Sequence, residues 1–175
     1  MTPGLRKFVL AVHLILSVGW IGAVVAYIAL DVTAVTSQDV QMVRAAFLAM
    51  ELTALYVIVP LALAALLTGL VMSLGTPWGL FRHYWVLITL VLTIIATIVL
   101  LLETQTISYM AEVAASGADP RELPGSLPHS VGGLVVLLVI TVLNVYKPRG
   151  LTPYGWRKQQ EERRKQHEER TVLVP

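Results

Sequence analysis

The chain has no cysteine, so disulfides and thiolate metal sites are excluded. It also has little charge: 14% of its 175 residues are charged and 56% are hydrophobic, with a mean hydropathy of +0.72. That balance lies outside the range of soluble globular domains. The signatures of soluble catalysis are missing too: there is no nucleophile and base pattern, phosphate loop, dinucleotide fingerprint or HExxH. The net charge of +2 comes largely from a terminal tail, which makes no case for a nucleic-acid partner.

What fills the chain instead is apolar sequence. Four runs, roughly 8–30, 52–74, 84–102 and 129–146, each approach the ~20 residues needed to cross a bilayer core. A backbone in lipid must satisfy its own hydrogen bonds, which leaves helices or closed barrels, and unbroken runs of this length select helices. The expected fold is therefore all-α, an integral membrane four-helix transmembrane bundle over 1–150 with a charged tail over 151–175. The first run outlasts a signal-peptide core and lacks a small-residue cleavage pattern, so it is read as a retained span.

Charge bias orients the bundle. Arg6 and Lys7 precede the first span, Arg82 lies between the second and third, and Lys147, Arg149, Arg157 and Lys158 follow the fourth, whereas the other connections are acidic or mixed. The positive-inside rule places both termini in the cytoplasm. Helices are expected to overrun the membrane. Thr36 or Ser37 would cap a helix entering the second span, Pro60 should kink that span, and Thr76 with Pro77 would start the third helix before its apolar run. The 116–128 stretch reads as an outer loop, and 157–170 as a solvated helix or disordered tail.

Polar residues inside spans are costly and mark candidate sites. His13, Ser17, Trp20, Val24, Tyr27 and Asp31 recur at three- and four-residue steps, so one stripe of the first helix should face the interior. Ala62, Ala65, Gly69 and Ser73 form a small-residue row on the second, suited to close helix packing. His13 and His83 lie on the cytoplasmic side, at similar depths if the third helix begins at Pro77. That pair is the candidate for axial ligation of heme b, with Arg82 near the propionates. His129 lies at the outer end of the fourth span, where Glu51, Glu103 and Asp31 approach, and forms a separate candidate metal site with Glu51 and Glu103.

The pattern His13, Trp20, Gly22 and Tyr27 resembles the opening helix of copper-resistance-D-like membrane proteins and of heme-binding membrane protoporphyrinogen oxidases. The resemblance implies a heme or metal ligand at His13, with Trp20 beside it. More of the chain, through Gly75-Thr-Pro-Trp-Gly-Leu-Phe-Arg-His-Tyr-Trp85 and Tyr146-Lys-Pro-Arg-Gly-Leu-Thr-Pro-Tyr-Gly-Trp156, resembles a group of four-span actinobacterial membrane proteins, which brings a topology and no activity. Two readings follow. One is a b-type heme bundle for electron transfer or heme handling, with a redox or membrane-complex partner. The other is a non-catalytic membrane subunit or small transporter whose histidines serve packing or ion binding. Either is compatible with a homo-oligomer in the lipid bilayer.

Overall fold

The computed structural model describes residues 2–75, 79–117 and 119–172. The first span is α1 (Pro3–Thr36), whose opening turn is capped by the Thr2 hydroxyl. The second is one continuous helical run, made of α2 (Val40–Thr53), a π-helical turn over Ala54–Ile58, and α3 (Val59–Gly75). Then come α4 (Tyr84–Ala115), a short 3₁₀ turn at Pro120–Glu122, α5 (Leu127–Tyr146) and α6 (Pro153–Val172). Among the described residues four helical runs are long and apolar enough to cross a membrane, as the apolar runs indicate.

Consecutive spans are antiparallel, so the start of α1, the α3–α4 connection and the end of α5 share one face, here the terminal face. The opposite, loop face carries the α1–α2 and α4–α5 connections. α1 packs against α2, α3 and α5, and α4 against the same three. α1 and α4 are thus diagonal in the bundle, each flanked by the second span and α5. The interior stripe of α1 is where its spacing puts it: Trp20, Val24, Tyr27 and Asp31 are all buried.

Three of the helical runs are longer than a bilayer core requires. At ~1.5 Å per residue α1 is about 50 Å long, well beyond a ~30 Å hydrocarbon core. The overrun has its own apolar contacts, in which Ala34, Val43, Phe47, Met50, Met110 and Ala114 are buried together. The cap of α2 is not Thr36 or Ser37. Asp39 takes that role, accepting from the Gln41 amide at 2.9 Å, because Ser37 already terminates α1 and its hydroxyl accepts from the Asp39 amide. In the connection before α5, Arg121 hydrogen-bonds Asp119 and holds that exposed carboxyl down to about pKa 2.

Pro60 acts as its chemistry requires. It cannot donate to the carbonyl four residues back, and the preceding turn widens so that the Val59 amide reaches Ala54 instead.

The start of α4 corrects the expectation for His83. Thr76, Pro77 and Trp78 fall outside the described residues, but residues 79–83 are not helical and α4 begins at Tyr84. Gly79 has φ +58, its carbonyl accepts from the Arg82 amide, and His83 is the extended residue before the helix, with φ −127 and ψ 134. His83 pairs with Leu151 as an isolated antiparallel bridge. The Tyr84 amide donates to Gly150 and the Thr152 amide to Arg82, while the Thr152 hydroxyl reaches the Phe81 carbonyl and accepts from the Gly155 amide. Residues 81–84 and 150–155 are therefore one clasp. α6 leaves it as an exposed charged helix, tied back by Arg82 to Glu162 at 2.6 Å.

Candidate functional site

The sequence-derived candidates fall into separate neighbourhoods. His13 faces α3: its Nδ1 lies 2.9 Å from the Thr68 hydroxyl, and its Cε1 is 3.1 Å from where a Cβ on Gly69 would stand. Gly69 of the small-residue row thus gives the ring its place. The Thr68 hydroxyl donates to the Ala64 carbonyl at 2.7 Å, so Nδ1 of His13 is the donor to Thr68. His83 sits in the clasp with its ring 6.4 Å from that of Trp85, and Arg82 is committed to Glu162. The described contacts of His13, Arg82 and His83 run to three different elements. A heme clamped between the two rings gains no support from this arrangement, because the helical position that would aim His83 at the bundle interior does not exist. Trp20 is buried elsewhere, in the wall of a cavity.

On the loop face, His129 and Glu103 do meet, with Nε2 3.4 Å from Oε1. Glu51 does not complete a site with them: among the described residues no three His, Cys, Asp or Glu side chains gather as metal ligands would. His129 lies in the first turn of α5, after Pro128.

Beside that pair stands a network that the sequence had not assembled. Asp31, at 0% exposure, accepts from the Ser126 amide at 3.0 Å, the Ser126 hydroxyl at 2.8 Å and the Ser130 hydroxyl at 3.0 Å. Ser126 is the N-cap residue of α5 yet makes no side-chain cap bond of its own. Asp31 supplies the cap from another helix, placing a carboxylate at the positive end of the α5 dipole. The Ser126 proton is committed to Asp31, so the Tyr27 hydroxyl, 3.0 Å away, donates to Ser126. Gly125 lets the chain come this close: a Cβ there would collide with Val35 Cγ1 and stand 3.2 Å from Asp31 Oδ1. The available signals were Asp31 at the end of the interior stripe and Ser126 ahead of Leu127-Pro128.

The network and the Glu103–His129 pair close one end of a cavity of about 310 Å³. Its back wall is buried and apolar, formed by Trp20 and Val24 of α1, Ala54 and Ile58 of the π turn, and Leu137 of α5. Its edge is formed by Ile95 and Val99 of α4 and by Pro128 and Gly132 of α5, all exposed, so it opens along the α4–α5 seam. Glu103 stands 19 residues after Tyr84, about 28 Å along α4, which puts the polar end near the membrane boundary and the apolar part within it. The π turn contributes directly, since Ala54 and Ile58 are the last buried positions before Pro60. No family model, curated protein or solved structure matches the chain.

Proposed function

We propose that the chain is a non-catalytic, multi-pass protein of the bacterial cytoplasmic membrane, with both termini cytoplasmic, whose outer-half cavity binds a small lipophilic molecule as a transporter or membrane subunit. The observation that carries this reading is the cavity itself, with largely apolar walls at membrane depth, its carboxylate, imidazole and hydroxyl groups gathered at its boundary end, and a side opening to lipid. Orientation rests on the basic residues Arg6, Lys7, Arg82, Lys147 and Arg149, which all lie on the terminal face.

Gly133 provides the test. It lines the cavity, and a Cβ added there meets nothing within 4 Å, so Gly133→Leu directs a side chain into the space without clashing at its root. Full-length protein in nanodiscs is expected to bind dodecanol saturably above the level of empty nanodiscs. Gly133→Leu should lose that binding at least tenfold while keeping its thermal midpoint. Equal uptake by protein-loaded and empty discs would sink the reading.

Protein purified from heme-replete cells is expected to show no Soret band. A Soret band lost in both His13→Ala and His83→Ala would overturn that expectation and return heme to the bundle.

A further inference from the structure

Every hydrogen-bond donor in the Asp31 network is already used. The Ser126 amide, the Ser126 hydroxyl and the Ser130 hydroxyl donate to Asp31, and the Tyr27 hydroxyl donates to Ser126. Within that network the phenolic oxygen of Tyr27 keeps acceptor capacity, and beside it stand the Glu103 carboxylate, which only accepts, and the His129 imidazole, which can also donate. Glu103 is 23% exposed and its described partner is His129, which is 58% exposed and approaches at 3.4 Å, longer than a well-formed charge-assisted bond. Two aromatic side chains, Trp20 and Tyr27, line the same cavity. A carboxylate, a phenolic oxygen and aromatic faces beside apolar walls complement a positive head on an apolar tail. The carboxylate repels an anionic head, because His129 is then held to Glu103 and not offered to the ligand.

We infer that the cavity selects lipophilic cations, an alkylammonium or comparable amine-bearing amphiphile, with the cationic head on Glu103 at the outer boundary and the tail running inward toward Leu92 and Ile58. The inference rests on the cavity being a binding site and specifies what it takes. His129 acts as a replaceable partner that occupies the Glu103 carboxylate when no cation is present. The site is built by the fold, because Glu103 and His129 come from different spans and Tyr27 from a third.

Three probes with one tail and different heads separate the possibilities: dodecylammonium, dodecanol and dodecanoate, titrated into the full-length protein in zwitterionic nanodiscs with empty discs as background. Dodecylammonium is expected to bind at least tenfold more tightly than dodecanol, and dodecanoate more weakly than either. Glu103→Gln, which keeps shape and hydrogen bonding but removes the charge, should abolish the ammonium preference and leave dodecanol binding within twofold. His129→Ala should keep or increase ammonium affinity, whereas a purely structural ion pair would show equal losses in both variants. Equal affinity for the three heads, with Gly133→Leu still blocking them all, would overturn the cation inference and leave the cavity reading standing. Absence of binding for all three would overturn both.

Discussion

Replacing Asp31 with alanine is expected to destabilise the bundle by about 2–4 kcal/mol, because each buried donor left without an acceptor costs about 1–3 kcal/mol. The Ser126 amide and hydroxyl would both lose the partner they have here, and only Ser130 keeps a second acceptor, the Leu127 carbonyl at 3.2 Å. The loss also uncaps α5, the shortest of the four spans, whose one buried side chain is Leu137. A helix with so little buried side chain depends heavily on its end contacts. Asp31→Asn should cost less, about 1 kcal/mol, since one amide oxygen still accepts from the Ser126 amide and the serine hydroxyls can rotate to accept. Reversible unfolding in mixed detergent micelles would measure both. An alanine variant within 0.5 kcal/mol of the wild type would show that the network is incidental to stability.

The second large effect is expected at the opposite face. Gly155→Ala would set a Cβ against the Arg82 carbonyl, and that contact is backbone on both sides, so neither group can rotate away. Overpacking of this kind costs about 1–3 kcal/mol, here concentrated on the clasp. The amides of Tyr84 and Thr152, which bridge its two strands, should exchange roughly 5–150-fold faster, while the amides of the bundle core keep their protection. Gly150→Ala is the control. Its added Cβ would meet Tyr84 at 3.7 Å, an ordinary contact, and clasp exchange should stay near the wild-type rate. Unchanged exchange in Gly155→Ala would mean that the clasp does not hold the start of α6.

These two sites show where sequence reasoning succeeds and where it stops. Hydropathy located the four spans because burial in lipid is a property of each segment alone, and a ~20-residue apolar run meets that demand whatever its neighbours are. Helical periodicity likewise put Trp20, Val24, Tyr27 and Asp31 on one interior face. Pro60 marked where the second span departs from a regular α-helix, but the reading there was a kink and the π turn over Ala54–Ile58 was not foreseen.

His83 was misplaced for the opposite reason. Thr76 and Pro77 are a sound local start signal, but Gly79 turns the chain and residues 150–152 hold His83 extended, and that pairing spans almost seventy positions. Local propensity has no term for it.

The chain by itself determined that this protein is all-helical, that four of its runs are long and apolar enough to cross a membrane, and which stripe of the first helix faces inward, because each follows from the period and length of one segment. Tertiary structure alone decided that Asp31 caps α5 from another helix, that Glu103 meets His129, that residues 81–84 and 150–155 form one clasp, and that a cavity remains between the spans. Hydrogen bonds and voids between segments depend on helix register and rotation, and neither is written in the hydropathy of any single run.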